Sequence, residues 1–417
     1  MKQLLKLAFL FLLTVNYASA QNEVNAPYSR FGLGELTANH TSSLSAIGSV
    51  CQGVYNPLVV NYNNPASYAF GYRQRFIMQT GLGHTTNRMQ TKEASQITNF
   101  TNLSNFTIGF PVAKWWGASL GILPYSDVAY SFNDSWEDPA AILFFEGYGG
   151  LSRFYMGHAF KLHKSLSVGA NLNYLFGSLN TSRKVVFDDD SYLHTRHTDQ
   201  TIVSGFYYDL GAMFKSKVSD WTLSGSASLD NGGDVSAKKT ALSETFRFNN
   251  LTEEIVEDTF NFSPPENGSI VLPRGFAVGF SVSNDQWLIA ADFNTKNWSE
   301  FRNFGASDNL ENSSRYAFGL EFTPDKKAIN KYFQMVRYRL GAYTANTYLN
   351  LRGQHLQEKV VSFGFGLPMK RSGALLNLSA ELGQRGTTQE NLIQDTFARF
   401  KLGLVLSDIW FIKRKYD

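Results

Sequence analysis

Few side chains in this sequence have the types and the spacing that catalysis requires. His158 is the best-placed candidate base, but alternation puts it on one strand face with Met156 and Phe160, and no serine partner is evident on that face. A nucleophile has to lie within hydrogen-bonding reach of its base, so the pattern does not favour an enzyme. Nothing else resembles a catalytic triad, and we expect no enzymatic activity.

A run of acidic residues followed by two histidines has side chains that suit a divalent metal ion. Three aspartates, residues 188–190, precede His194 and His197, and carboxylates and histidines are common metal ligands. The spacing matches no established site, so a solvated outer loop is the preferred interpretation, and we predict neither metal nor cofactor. Gly32 and Gly34 follow no predicted strand and open no predicted helix, which excludes a phosphate-binding loop.

The composition favours a sheet with an aromatic face. Aromatic residues make up 15% of the 417 residues, and the 34 phenylalanines are matched by 34 glycines, as in sheets whose outward face is aromatic and whose other face is small. The net charge of +3 is weak and spread along the chain, so nothing supports nucleic-acid binding.

The start of the chain predicts secretion. Residues 1–20 combine a basic start, an apolar run at 7–15 and small residues at 18–20, which is the pattern of a cleaved signal peptide. The one cysteine, Cys51, lies too far from this cleavage site for lipid attachment and excludes an intrachain disulfide. Beyond the leader, the longest apolar run, residues 140–145, is far below the roughly 18 residues that a membrane helix needs.

Alternation of apolar and small or polar residues is the main structural signal, and the segment 275–295 shows it best. One face of this predicted hairpin is apolar and the other is small or polar, and each arm has about ten residues, the length with which a tilted strand crosses a bilayer. The apolar face carries Phe276, Val278, Phe280, Val282, Trp287, Ile289, Ala291 and Phe293.

The same pattern predicts about fourteen strands. They are placed at 72–84, 103–111, 115–124, 151–162, 166–178, 203–216, 219–230, 275–284, 286–295, 314–323, 334–346, 360–369, 373–384 and 397–407. Connections after odd strands run roughly 12 to 44 residues and those after even strands roughly 2 to 10, the asymmetry of outer loops and periplasmic turns. The fold class predicted is all-β, a transmembrane antiparallel barrel of about fourteen strands with both termini in the periplasm.

A barrel of this size has a lumen that side chains alone cannot fill. Residues 21–71 are irregular, so we predict that this segment plugs the lumen, between the signal peptide (1–20) and the barrel (72–417). The residues proposed for this hatch are Pro27, Arg30, Phe31, Gly32, Gly34, Asn64, Pro65 and Ala66.

Charged side chains on the predicted inner face are interpreted as structural lumen charges rather than as a substrate path. They are Asp209, Asp292, Glu321, Arg337, Arg339, Glu381, Arg399 and Lys401. Tryptophans at strand ends predict interfacial girdles, and stacking on a ligand is the less favoured interpretation; they are Trp115, Trp116, Trp221, Trp287 and Trp298. Bases at 413–415 could lie by lipid headgroups or a partner.

Three features together resemble the FadL/TodX-like superfamily of outer-membrane barrels. They are the sequence Asn64-Pro65-Ala66 in an irregular leader, the fourteen predicted strands, and Leu272-Pro273 before the hairpin. The ending, residues 410–415, resembles the branch that includes PorV, an accessory barrel of the type nine secretion system. Residues 26–34 depart from the FadL pattern.

The resemblance implies two different functions in the outer membrane of a Gram-negative bacterium. FadL-like members pass small hydrophobic molecules through the lumen and a side opening, and this is the first expectation for the present chain. PorV-like members are non-transporting subunits, so the alternative is an accessory barrel in a secretion or barrel-assembly complex. The partners expected are outer-membrane lipids, a hydrophobic ligand or a larger outer-membrane complex.

Overall fold

The computed structural model describes residues 26–71, 75–137, 140–189, 191–249, 253–328, 331–369 and 373–409. The predicted signal peptide, the predicted start of the first strand at 72–74 and the PorV-like ending at 410–415 lie outside these residues.

Fourteen antiparallel strands close into a barrel, which confirms the predicted fold and the even strand count. Each strand pairs with its neighbours around the ring, and the last pairs with the first over its whole length. The strands are β1 (Arg75–Gln90), β2 (Ser95–Ala113), β3 (Trp116–Glu137), β4 (Ala140–His163), β5 (Leu166–Phe187), β6 (His194–Val218), β7 (Trp221–Asp230), β8 (Gly275–Ser283), β9 (Trp287–Lys296), β10 (Ser313–Phe322), β11 (Arg337–Leu351), β12 (Gln354–Pro368), β13 (Leu375–Gly386) and β14 (Gln394–Ile409).

The alternation in the sequence corresponds to the two faces of the wall. In β8, the outward Phe276 and Phe280 are 41% and 52% exposed, whereas the inward Ala277 and Ser281 are 8% and 1% exposed. Side chains on a strand point to opposite faces in turn, so the apolar set covers the outside of the barrel and the small and polar set lines the lumen.

The two ends of the barrel differ, but most of the connections predicted to be long are short, and of these connections only residues 231–274 and 297–312 separate their described strands widely. One end has tight connections such as β2–β3 and β4–β5, and we name it the short-turn end; the other is the long-loop end. At the long-loop end the wall is taller than predicted on one side, because β3 to β6 have 22 to 25 residues while β7 to β10 have 9 or 10. The regions 85–102, 125–150, 179–202 and 347–359, all predicted as loops, are largely strand.

The segment 231–274, also predicted as a long loop, is mostly an antiparallel hairpin. Its arms are Gly233–Phe248 and Glu254–Leu272, and the first arm pairs with the upper part of β6. We name it the outer hairpin. Ion pairs attach it to β5 and β6, since Glu254 contacts Lys184 at 3.0 Å and Arg196 contacts Glu244 at 2.7 Å. The ladder continues here because these polar sequences still supply backbone partners on both sides.

Residues 26–71, which we name the lumen segment, were predicted to have no helix, and this is wrong in detail. The segment contains four single turns of helix, Pro27–Arg30, Ser42–Ser45, Pro65–Ser67 and Tyr68–Gly71, and a two-residue strand, Glu35–Leu36. Short caps explain two of them: Thr41 accepts a bond from Leu44 N–H at 3.4 Å, and Asn64 accepts one from Ala66 N–H at 3.2 Å. Single turns are too short to show the periodic spacing of apolar residues by which a longer amphipathic helix is predicted from sequence.

The remaining elements are short connections. They are Trp298–Glu300, Arg302–Asn303, Tyr332–Met335 and Gln389–Asn391. Across the described parts of the chain, no helix has the length and the apolar character needed to span a bilayer.

Candidate functional site

The lumen segment lies against a row of inward glycines in the wall. At nine of them a Cβ atom would come within 3 Å of an atom of the lumen segment, closer than real Cβ contacts. This glycine belt consists of Gly117, Gly157, Gly169, Gly211, Gly279, Gly319, Gly341, Gly364 and Gly403. The small inner face read from the sequence therefore has a specific role, because it lets the backbone of the lumen segment pack directly on the strands.

Wall side chains also bind the backbone of the lumen segment. Asp292 accepts the N–H groups of Cys51 and Gln52 at 2.5 and 2.8 Å. Further bonds of 2.6 to 3.0 Å are Ser362 from Gly48 N–H, Arg315 to Gly48 C=O, Ser226 to Gln52 C=O, Ser281 to Gly53 C=O, Asn171 to Tyr62 C=O and Ser167 to Ala66 C=O. Irregular backbone inside a barrel needs such partners, and the wall supplies them.

Two more of the eight predicted lumen charges contact the lumen segment, as Asp292 does. Glu381 accepts a bond from Ser49 Oγ at 3.3 Å. Lys401 Nζ donates to Ala38 C=O at 3.1 Å and contacts Ser45 Oγ at 2.9 Å. These charges hold the segment in place.

The other five lumen charges contact side chains of other strands of the wall. Glu321 binds Arg339 at 2.7 Å and lies 3.9 Å from Arg337. Arg399 lies 3.3 Å from Glu358, and Asp209 accepts a bond from Asn173 at 2.9 Å. The eight charges thus form separate groups around the lumen and do not converge on one centre.

The eight predicted hatch residues fall into two separate places. Asn64, Pro65 and Ala66 pack near the short-turn end, where Pro65 lies against Gly169 and Gly211 of the belt. The others, Pro27, Arg30, Phe31, Gly32 and Gly34, lie toward the long-loop end, beside β3.

The second group contains two glycines because other parts of the chain lie close to its backbone. The N–H of Gly32 donates to Asp308 at 3.1 Å, and Tyr348 OH donates to the carbonyl of Gly34 at 2.9 Å. Gly34 has φ +95°, and a side chain there would meet the backbone of Asp127. Partial burial raises the pKa of Asp308, and the bond from Gly32 opposes that rise. The sequence signal Gly32-x-Gly34 marks a tight turn in the lumen segment.

An apolar cluster packs the first part of the lumen segment against the long-loop end. It includes Tyr28 and Leu33 of the segment, with Phe301, Leu310 and Trp298. The prediction that Trp298 belongs to an interfacial girdle is wrong, because it is 2% exposed and stacks on Tyr348 with ring centroids 4.5 Å apart. The other predicted girdle tryptophans include Trp115, Trp221 and Trp287, which are 54%, 37% and 37% exposed.

Among the described strands, β2 and β3 are paired along only part of their length. Pairing between β2 and β3 begins at the short-turn end and stops at Phe106 opposite Ile122, so residues 95–105 pair with β1 alone in the described ladder. Beyond that point β3 pairs with β4 and, on its other edge, with the short strand Glu35–Leu36 of the lumen segment. Thr37 N–H also donates to Tyr125 C=O at 3.0 Å. We name this gap the seam.

A proline in the sequence indicates the seam, although the alternation of apolar and polar residues does not. Pro124 stands in β3 two residues beyond the last β2–β3 pair and next to a register shift. Proline cannot donate to a ladder, so within sheets it marks edges and bulges.

A cavity of ≈ 490 Å³ lies in the seam between β2, β3 and the lumen segment. Apolar surface makes up the larger part of its lining, to which Leu36, Leu151 and Phe400 belong, and Glu35, Asp127 and Lys401 add charged groups. Pockets for small ligands commonly combine a mainly apolar lining with a few polar groups.

The candidates for chemistry do not assemble into a site. Trp116 Nε1 donates to His158 at 3.2 Å, on the face directed outward. His194 is a buried strand residue that accepts a bond from Phe187 N–H at 3.2 Å, so placing it in a solvated loop is wrong. Asp190 lies outside the described residues, and among those described no group of three histidine, cysteine or acidic side chains could hold a metal ion.

A closed barrel of fourteen strands with an apolar exterior, and with residues 26–71 in its lumen, has the fold of the FadL-like β-barrels. Solved structures share this fold. The Ralstonia pickettii toluene transporter TbuX aligns with a TM-score of 0.59 and 14% identity over 88% of this chain and 98% of its own. A Pseudomonas aeruginosa FadL homologue gives 0.59 and 11% over 91% and 100%, and the P. putida toluene transporter TodX gives 0.56 and 12% over 90% and 100%.

The family model described as BamG matches residues 1–417, and the chain belongs to the BamG family. No curated protein matches its sequence.

Proposed function

We propose that the protein is a non-transporting accessory barrel of a larger outer-membrane complex concerned with barrel assembly or secretion. It performs no chemistry of its own. The short-turn end and both termini face the periplasm, residues 1–20 are removed as a signal peptide, and the lumen segment is a fixed plug. The observation that carries this proposal is the glycine belt, on which the backbone of the lumen segment is seated.

The energetics support a plug that stays in place. Eight of the hydrogen bonds described above join wall side chains to the backbone of residues 48–66 of the lumen segment, and each contributes about 1 kcal/mol net, more where a charge takes part. Removing the segment would therefore cost on the order of 8 kcal/mol before any apolar contact is counted, which is comparable with the stability of a whole domain. A segment that opened for rapid transport would have to leave the lumen at a much smaller cost in free energy.

Membership of the BamG family supports the same function, since that description indicates barrel assembly and not a transported molecule. The fold shared with toluene transporters does not decide the matter, because at 11% to 14% identity it concerns architecture alone.

The test is recovery of the protein with its native companions. A C-terminally tagged chain is extracted from its own cells in mild detergent and measured by native mass spectrometry. We expect a stoichiometric assembly that contains at least one larger outer-membrane protein. Recovery of a solitary barrel, at low salt and in two different detergents, would contradict the proposal. An unrelated tagged barrel from the same membrane is the control for non-specific capture.

The second candidate function is a FadL-like channel for small hydrophobic molecules, and the seam with its ≈ 490 Å³ cavity favours it. A molecule entering the lumen could leave sideways where β2 and β3 do not pair. Purified protein in liposomes would then take up a hydrophobic probe such as toluene, and deletion of residues 21–71 would open a conductance. If neither occurs, the channel is excluded and the accessory function is unaffected.

A further inference from the structure

We infer that the seam is an acceptor site for an extended polypeptide strand, which adds to the free edge of β2 and occupies the cavity beside it. This inference rests on the proposed accessory function and names the form in which a partner is bound there.

The first step is the free edge itself. Residues 95–105 of β2 pair with β1 on one side, and the described ladder gives them no partner on the other. An edge of this length presents a row of backbone donors and acceptors, which is the surface that a further strand uses.

The second step is the position of the edge in the membrane. The seam opens above Phe106, seven residues before β2 ends at Ala113. With a rise of about 3.3 Å per residue and a tilt of about 40°, it opens roughly 18 Å above the short-turn end. The apolar band of such barrels is about 25 Å tall, so the lowest part of the seam lies in the outer leaflet. Unpaired backbone facing lipid costs several kcal/mol per group, so this edge requires cover.

The third step is that the opposite edge already accepts a strand. Glu35 and Leu36 pair with Asp127 and Ser126 of β3 in antiparallel register. The chain therefore uses strand addition on one side of the seam, and the β2 edge on the other side offers the same kind of surface.

The free edge decides the chemistry of the occupant. Residues 95–105 present backbone N–H and C=O groups there, and the described ladder pairs these residues on one side only. An acyl chain or an aromatic hydrocarbon would leave these backbone groups without partners, whereas a peptide backbone supplies donors and acceptors at every residue. The volume of ≈ 490 Å³ suits a short stretch of polypeptide.

The test uses the full-length mature protein in nanodiscs and a defined probe. The probe is a fluorescein-labelled peptide, Lys-(Thr-Val)4-Lys, which favours an extended conformation, and its control is the same peptide with alternate residues N-methylated. We expect saturable binding of the first peptide, followed by fluorescence anisotropy, and at least tenfold weaker binding of the N-methylated form, which lacks half of the backbone donors.

Two variants place the binding at the seam. Thr101→Trp puts a large side chain at the cavity, and we expect at least tenfold weaker binding. Thr222→Trp, in β7 where both neighbours are paired, is the matched control and should bind as the parent does. Retention of the folded barrel is checked for both variants by heat-modifiable mobility in gels.

Three results would overturn the inference. They are equal binding of the two peptides, equal binding to the Thr101→Trp and Thr222→Trp variants, and no binding of the plain peptide at millimolar concentration. In the last case, quenching of the tryptophan introduced by Thr101→Trp with brominated acyl chains would identify lipid as the occupant instead. These measurements use the isolated protein, so they can fail while the native assembly is recovered, and they can succeed without it.

Discussion

The lumen segment contacts the wall in two regions, and the strands of the wall are paired differently in each. Along the glycine belt, strands pair on both sides and the segment's backbone packs against them, as at Gly341 and Gly48. At the seam, the wall lacks a pair and Glu35 and Leu36 take the place of a strand. The belt fixes the plug, whereas the seam leaves a cavity and an open edge. The difference shows that one segment can seal a lumen and still leave the wall incomplete.

The largest expected effect comes from breaking the belt. Gly341→Val places a side chain against the backbone of Ile47 and Gly48, which cannot rotate away as a side chain could. We expect a loss of roughly 4 kcal/mol in the free energy of unfolding, above the usual 1–3 kcal/mol for overpacking, measured by denaturant titration in detergent.

The matched control for that change is Gly225→Val in β7. A Cβ there has no neighbour closer than 4.0 Å, so the variant should stay within about 0.5 kcal/mol of the parent. Equal losses in both variants would mean that strand propensity, and not the lumen segment, explains the glycines.

The second prediction concerns the hydrogen bonds that accompany the belt. Asp292→Ala removes the acceptor of two N–H groups, those of Cys51 and Gln52, in a buried place. We expect a loss of about 3 kcal/mol and faster amide exchange at residues 50–53, measured by hydrogen exchange and mass spectrometry. Asp285→Ala, in an exposed turn, is the control. Unchanged exchange at residues 50–53 would contradict the role given to Asp292.

The sequence predicted the repeating part of this architecture and missed its irregular part. Alternation at positions such as Phe276 and Ala277 places each strand between lipid and lumen, so fourteen strands, their closure and their inward charges could be read directly. The extensions of β1 to β6, β11 and β12 were missed because their residues above the membrane alternate less clearly. The outer hairpin was missed because a polar strand resembles a loop when only hydrophobicity is considered.

The site was less predictable than the fold. Gly319 and Gly341 were visible as small residues, but their contacts with Ile47 and Gly48 join positions almost 300 residues apart, and no local pattern encodes such a contact. The two halves of the hatch list, near Gly34 and near Asn64, were read as one group because they are close in sequence. Pro124 alone pointed to the seam, and the alternation around it concealed that signal.

The third prediction concerns the seam. Glu35→Gln removes the charge that pairs with Arg385 at 2.9 Å, while Arg385 keeps its contact with Asp395 at 2.8 Å. The pair is only partly buried, so we expect a loss of about 1 kcal/mol. Amide exchange should quicken at residues 35–38 and stay unchanged at residues 50–53. Equal quickening in both places would show that the seam and the belt open together and that the two regions are not independent.

The smallest expected effect compares two serines of β3, one on each side of the point where the seam begins. Ser119 lies where β2 pairs, and its hydroxyl bonds to Ile108 C=O and Tyr155 OH, both at 2.9 Å. Ser126 lies in the seam, and its buried hydroxyl has no partner among the described residues. Ser119→Ala should cost about 1 kcal/mol and Ser126→Ala close to nothing, because a hydroxyl without a partner contributes no bond to lose. Thermal unfolding in detergent measures both, and a cost at Ser126 equal to that at Ser119 would mean that the seam is as fully bonded as the rest of the wall.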